Sequence, residues 1–368
     1  MLPYLVLLGI ITIQWIFLFP NWKINLNRPI EYKQKKYFCV LTCIDLIFFV
    51  GFRAMNIGAD TETYISGLGY YRSLPHDAIL SAKLVYPYDF EFGYFMLTKI
   101  CAYVSMGNTV FLFLIAAIIY IPVMLFILRY SENPFISVLV YFAFGCFTYS
   151  FGIFRQMIAL SIVLTGFKYV QERKLVKYIC MILVAMLFHT TAIVMLPLYW
   201  VANLNIKNKL KWVILLEVVV LFSSRAIVLM ALVFFPKYLG YENSIYDVQG
   251  GSYLMLILLN IIMIMAYYKL IKGYYDNSGT LNISLNAIVF AIFLQILGYS
   301  MGIFGRIVPY YSIYLLLIIP ILANRLFMKN PIVTHIATSI FLILAFYILT
   351  KDSNTLDPYI FVWGERNL

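Results

Sequence analysis

Apolar positions in this chain come in long continuous runs, not in alternation and not in one-sided stripes. Tyr314 to Ala323 carries no charged or amide side chain, and Leu254 to Ala266 is interrupted only by Asn260. Such runs are apolar on every side, which predicts helices in a bilayer; the strands of an outer-membrane barrel would alternate over roughly ten positions. A crossing needs about 20 apolar residues, somewhat fewer where the membrane thins. On that rule the pattern predicts spans near 2–19, 37–53, 109–129, 134–150, 155–170, 211–234, 251–271, 281–301, 307–324 and 332–349.

Two segments need a choice. As one helix, 174–204 would put the basic runs Arg173-Lys174-Lys177 and Lys207-Lys209-Lys211 on opposite sides. Read as two short helices turning at Phe188-His189-Thr190-Thr191, it puts both runs inside, as the positive-inside rule prefers. Segment 91–106 is apolar but short, and a full crossing there would invert everything after it, so it is read as re-entrant or interfacial. The expectation is an all-α polytopic integral membrane protein with about 11–13 transmembrane helices, a single transmembrane domain over 1–368. Met1 to Phe19 reads as its first helix, since it lacks the basic flank and A-x-A site of a cleaved signal.

Composition strengthens this picture. The 368 residues are 63% apolar, 18% aromatic and 12% charged, far from a soluble domain. The net charge of +11 does not point to nucleic acid, because its basic residues fall in short clusters between spans. Lys23, Arg28, Lys33, Lys35, Lys36, Arg173 to Lys177, Lys207 to Lys211, Lys269, Lys272, Arg325 and Lys329 all fall inside on one topology. That leaves outer loops at about 54–90 and 235–250, with Pro75, Pro87 and Gly250-Gly251 as punctuation. The five cysteines form no C-x-x-C pair and read as packing residues. Three histidines without H-x-x-x-H, and no Walker or G-x-G-x-x-G loop, give no indication of a metal or nucleotide cofactor.

The candidate chemistry gathers on the outer side. An arginine at helix-centre depth costs about 2.5–3.5 kcal/mol, so Arg53, Arg155, Arg225 and Arg306 each need a reason. Snorkelling or an ion pair is the plain one. Three of the four, Arg53, Arg155 and Arg306, converge on the outer face, which suits the oxygens of a phosphate or pyrophosphate. Asp60 and Glu62, then Asp89 and Glu91, lie on the same face, as does His189 at its turn. Any of Asp60, Glu91 or His189 is a candidate general base, or simply a partner for an arginine or a packing contact. Glu217 reads as a helix-to-helix pair. Tyr64, Tyr70, Tyr71, Tyr86, Tyr88, Tyr94, Tyr149, Tyr238, Tyr241 and Tyr246 add stacking planes with hydroxyl handles, suited to sugar rings.

In order, these segments are Phe52-Arg53, Gly58-Ala59-Asp60-Thr61-Glu62-Thr63-Tyr64, Glu91-Phe92-Gly93-Tyr94, Ser150-Phe151-Gly152-Ile153-Phe154-Arg155-Gln156, Phe188-His189-Thr190-Thr191-Ala192 and Gly305-Arg306. The ordered set resembles the EpsG family, close in role to the Wzy-type O-antigen and capsule polymerases. The strongest matches, G-x-D-x-x-x-Y, F-R-Q-x-x-A and F-H-x-x-A, cover roughly residues 50–200. Gly152 stands where an amide or other polar residue is expected.

The resemblance implies a GT-C-like glycosyltransferase bundle in the bacterial inner membrane that polymerises repeat units carried on undecaprenyl pyrophosphate. It implies partners of the same pathway, a chain-length regulator and a flippase. Residue by residue, Arg53, Tyr64, Arg155, Gln156 and Arg306 would bind pyrophosphate and sugar, with Asp60, His189 and Glu91 as the catalytic candidates. Two other readings stay open: a flippase for lipid-linked oligosaccharide, and a membrane acyltransferase with His189 as base. No internal repeat supports the first, and the outer placement of His189 disfavours the second.

Overall fold

The computed structural model describes residues 1–19, 31–85, 88, 90–204, 210–234, 253–268, 279–325, 331–351, 353, 356 and 358–364. The predicted loop 235–250 with Tyr238, Tyr241 and Tyr246, Gly251, Tyr86, Pro87 and Asp89, and Lys23, Arg28, Lys207, Lys209, Lys269, Lys272 and Lys329 lie outside the described residues.

Helices follow one another along the chain. They are α1 (Leu2–Leu18), α2 (Tyr32–Gly51), α3 (Thr61–Ser73), α4 (His76–Ile79), α5 (Phe92–Tyr103), α6 (Asn108–Tyr130), α7 (Pro134–Ala143), α8 (Cys146–Tyr149), α9 (Phe154–Thr165), α10 (Phe167–Gln171) and α11 (Leu175–Met186). A 3₁₀ helix (Thr190–Met195) precedes α12 (Leu198–Val201), α13 (Leu210–Phe234), α14 (Tyr253–Ala266), α15 (Thr280–Ser300), α16 (Gly302–Ile307), α17 (Pro309–Ser312), α18 (Leu315–Arg325) and α19 (Pro331–Thr350). Among the described residues the only β pairing is a single antiparallel bridge, Arg53 to Phe361. The protein is an all-α polytopic membrane protein.

Four helices are long and apolar enough to cross a bilayer unaided: Asn108–Tyr130, Leu210–Val233, Thr280–Ser300 and Ile332–Thr350. Gly302–Ser312 with Leu315–Asn324 makes a fifth, bent by 56°. The expected 11–13 continuous crossings resolve, among the described residues, into these and a set of shorter apolar helices. The breaks have local causes. Gly145, in the left-handed region at φ +83°, separates α7 from α8 inside the predicted span 134–150. The first turn of α2 carries Lys33, Lys35 and Lys36, so its apolar part is shorter than the helix.

On α6 the residues Leu112, Ile115, Ile119, Val123 and Ile127 are buried at a spacing of three to four, while Ile121 and Leu125 on the opposite side are exposed. Within a bilayer this burial exchanges lipid for protein, so close dispersion contact stabilises it more than escape from water does. The α6 face packs on α2 and α9, and α7 packs on α18 and α19. Segment 174–204 doubles back. Tyr178 donates to the Met195 carbonyl at 2.7 Å, and Tyr199 donates to the Arg173 carbonyl at 2.7 Å, with His189 at the opposite, turning end.

The short segment after Glu91 belongs to a cap of short helices. The 12 residues of α5 span about 18 Å, too little for a bilayer core of about 30 Å. Instead α5 packs on α3 and α4. Its Lys99, 3% exposed, donates to the carbonyls of Leu80 and Ala82, and Arg72 of α3 donates to the Met106 carbonyl at 3.1 Å.

Candidate functional site

Four helix starts meet beneath this cap. Asp60 precedes α3, Glu91 precedes α5, Arg155 lies in the first turn of α9, and His189 precedes the 3₁₀ helix. Glu91 occupies a capping position but its carboxylate makes no cap to α5. Its Oε2 accepts from Arg155 Nη1 at 2.5 Å, and its Oε1 accepts from His189 Nδ1 at 2.8 Å and from the Thr190 amide at 3.4 Å.

Close approach of two backbones makes that bridge possible. The Gly93 amide donates to the Leu187 carbonyl at 2.7 Å, and a Cβ at Gly93 would stand 2.8 Å from the same oxygen. A glycine two residues after Glu91 therefore seats the start of α5 directly on the end of α11, where His189 follows.

Tyr64 supplies the floor. Its ring, 2% exposed, stacks on Phe154 at 4.7 Å, and its hydroxyl accepts from Arg155 Nε at 3.4 Å. The Arg155 guanidinium lies 5.2 Å from the Phe90 ring and 5.8 Å from that of Tyr64, within cation–π range. Nε and Nη1 are thus fixed by protein, and among the described residues Nη2 has no protein partner.

Burial alone would raise the Glu91 carboxyl. The His189 hydrogen bond and the Arg155 charge outweigh it and hold the group at about 2. Burial raises the Tyr64 hydroxyl, so it stays a neutral phenol. An ionised Glu91 can only accept, so the proton of this bond lies on Nδ1 of His189.

The remaining expected residues fall around this set. Gln156, 4% exposed, donates to the Arg306 carbonyl, fixing α16 against α9, while the Arg306 side chain is exposed and within Coulombic reach of Tyr149. Asp60 is half-buried and close enough to Tyr64 to act on it electrostatically, but no hydrogen bond joins it to Glu91 or His189.

Arg53 is placed differently from the expectation. It is 0% exposed and donates to the carbonyls of Val50 at 2.6 Å, Ile57 at 3.2 Å and Phe151 at 2.9 Å. Its guanidinium lies behind the site, so it holds the loop that carries Asp60 and offers no exposed donor to a pyrophosphate.

The Phe151 carbonyl also accepts from Thr61 Oγ1 at 2.7 Å, a residue the sequence motif contains but does not single out. Gly58, at φ +101°, passes so near that a Cβ would fall 2.1 Å from the Phe151 oxygen. Gly152 presses on the other side of the same loop, where a Cβ would meet the Ala59 amide nitrogen at 2.7 Å. No amide side chain fits at 152, which accounts for that departure from the expected pattern. The C-terminal segment seals the corner. The Ala54 amide donates to the Ile360 carbonyl at 2.9 Å and the Val362 amide to the Phe52 carbonyl at 2.8 Å.

Among the described residues no group of three or more His, Cys, Asp or Glu is placed to hold a metal ion. What the arrangement offers is a guanidinium and an imidazole held on one carboxylate, with the Arg306 backbone tied to α9 through Gln156. A family model described as the EpsG family matches residues 36–361. No curated protein and no solved structure matches the chain.

Proposed function

The chain belongs to the EpsG family, and from that premise we propose that it is a polysaccharide polymerase joining repeat units carried on undecaprenyl pyrophosphate at the outer face of the bacterial inner membrane. The observation that carries this reading is the Glu91 bridge, which ties a guanidinium and an imidazole to one carboxylate at the mouth of the helix bundle.

Polymerisation breaks the bond between the growing chain's anomeric carbon and its lipid pyrophosphate, and forms a bond from that carbon to a hydroxyl of the next unit. The leaving pyrophosphate takes the electron pair. Arg155 Nη2 and the Arg306 guanidinium are the groups to stabilise its charge. The acceptor hydroxyl gives its proton to His189 Nε2, and the imidazolium formed is stabilised by Glu91 through Nδ1. Glu91 is then a positioning residue, and Asp60 is the alternative base. Tyr64 fixes the Arg155 plane. A flippase of the same pathway would supply the lipid-linked unit, and a chain-length regulator is a fitting partner.

The test is a product assay on full-length protein in liposomes with lipid-pyrophosphate-linked repeat units, read as a ladder of lengths on a gel. A ladder from the wild type that is lost in Arg155→Ala and His189→Ala supports the reading. Folded protein that yields no ladder but moves the substrate between leaflets makes it a flippase.

A further inference from the structure

The cap also carries a row of aromatic rings that begins at the site. The Phe90 ring, buried at 4% exposure, lies 5.2 Å from the Arg155 guanidinium and 5.6 Å from the Tyr64 ring. Tyr88 follows at 6.2 Å from Phe90, and Tyr70 of α3 at 5.7 Å from Tyr88. Centroid spacings below about 7 Å are those of interacting rings, so the row runs without a break from the arginine to the half-buried Tyr88 and Tyr70.

A glycine seats this row on the helix. A Cβ at Gly67 would stand 3.1 Å from Phe90 Cε2 and 3.3 Å from Tyr88 Cδ1, so the two rings rest on α3 where a side chain would press on both. By helical spacing Thr63, Gly67 and Tyr70 share one face of α3, and Asp60 stands at the start of the same helix. Thr63 is exposed. The face therefore leads from a candidate base to the far end of the aromatic row.

Chemistry changes along the row. Its buried end is Phe90, with no polar side-chain atom, and its open end is a pair of phenols. Neighbouring tyrosines commit their hydroxyls to the protein, Tyr64 to Arg155 and Tyr71 to the Lys83 carbonyl at 3.3 Å. Among the described residues the hydroxyls of Tyr70 and Tyr88 make no hydrogen bond to the protein. A sugar ring matches both halves of such a surface: its C–H face meets the electron-rich face of a phenol ring, and its hydroxyls meet the phenol hydroxyl.

We propose that Tyr70 and Tyr88 form a carbohydrate subsite for the sugars that follow the reacting one in the growing chain. With the pyrophosphate held at Arg155, the chain attached to it runs along the row, past Phe90 to Tyr88 and then Tyr70, and the Thr63 hydroxyl on the α3 face is a further handle. A subsite of this kind retains the chain between additions. This inference rests on the reading of the site as a polymerase centre.

The test uses the full chain in nanodiscs and two probes: the oligosaccharide freed by mild acid from the lipid-linked units of the ladder assay, and inorganic pyrophosphate. Binding of each, ladder length and kinetics, and thermal midpoint are measured for wild type, Tyr70→Ala, Tyr88→Ala and Tyr70→Phe. Both alanine variants are expected to bind the oligosaccharide about tenfold more weakly and to raise the donor KM by a similar factor, with a smaller change in kcat. They should make shorter ladders and bind pyrophosphate as the wild type does. Tyr70→Phe keeps the stacking plane without the hydroxyl and is expected to fall between. No oligosaccharide binding by the wild type, or wild-type binding in both alanine variants, overturns the proposal. So does a loss of binding to both probes that tracks a fall in midpoint, since the rings would then only pack the cap. Oligosaccharide binding that depends on Tyr70 and Tyr88, in a wild type that makes no ladder, sinks the polymerase reading and leaves the carbohydrate subsite standing; a ladder whose length and kinetics ignore both alanine variants does the reverse.

Discussion

Glu91 Oε1 stands 2.8 Å from His189 Nδ1, joining residues that lie at the starts of two different helical segments. The other carboxylate oxygen is held by Arg155, so a change at Glu91 disturbs the imidazole and the guanidinium together. Glu91→Gln keeps the shape but supplies an amide that donates where it once accepted. Its kcat in the ladder assay is expected to fall by about 10²-fold or more, with a smaller change in KM. A Glu91→Gln enzyme with wild-type kcat removes Glu91 from the mechanism.

The same carboxylate gives stability a pH dependence of definite sign. Its folded pKa, about 2, lies below the ordinary 4.5. The unfolded chain therefore binds the proton first as pH falls, and the Glu91 contribution, complete above about 4.5, is lost between there and about 2. The thermal midpoint in detergent should drop through that window in the wild type and drop less in Glu91→Gln. Parallel curves for the two proteins would locate the acid sensitivity elsewhere.

Arg53 and Arg155 should separate cleanly. Removing the Arg53 side chain leaves three buried carbonyls short of a charged donor, each such bond being worth about 1.5–3 kcal/mol. Arg53→Ala is expected to lower the thermal midpoint and the yield of folded protein. Arg155→Gln, at a partly exposed position, is expected to lower the midpoint less than Arg53→Ala and to lose the ladder. Equal midpoints for both variants would remove the structural assignment of Arg53.

Gly93→Ala touches no functional side chain, yet its methyl group would press on the Leu187 carbonyl. It should push α5 off α11 and lower kcat by about tenfold or more through the lengthened Glu91 to His189 bond. Gly69→Ala on α3, where a Cβ meets nothing within 4 Å, is the control and should match the wild type.

Sidedness is testable on intact cells. In a cysteine-free background, Ser66→Cys on α3 should react with a membrane-impermeant thiol reagent, and Lys174→Cys only after permeabilisation. Labelling in the opposite order would invert the topology and put the site inside.

Much of this was legible along the chain, for uneven reasons. Fully apolar runs such as 281–301 announce a helix whatever packs on them, and α15 occupies Thr280–Ser300. The turn at His189 was readable because charge on both flanks demanded the same side. Interruptions were not readable: Gly145 splits a run whose hydropathy never dips. Within the site, the motifs singled out Tyr64, Glu91, Arg155 and His189, and these form one bonded group. Arg53 carries the same motif signal, but burial gives it other work, and burial is set by what packs above it. That covering comes from the Phe151 and Phe154 rings, 5.3 and 5.2 Å from its guanidinium, remote in sequence and without polar side chains of their own.

The backbone pairing at this corner also sets an order of assembly. Ile360 and Val362 are made after α19, yet their backbone supplies the partners of Ala54 and Phe52, which are made before α3. Until they arrive, the Ala54 amide and the Phe52 carbonyl lack those partners, and Arg53 lacks its bridge to Phe361. The loop that leads to Asp60 thus gains part of its support only from a segment synthesised after α1 to α19. A nascent chain halted just past α19 would carry all of these helices and still lack the pairing that closes residues 52–54.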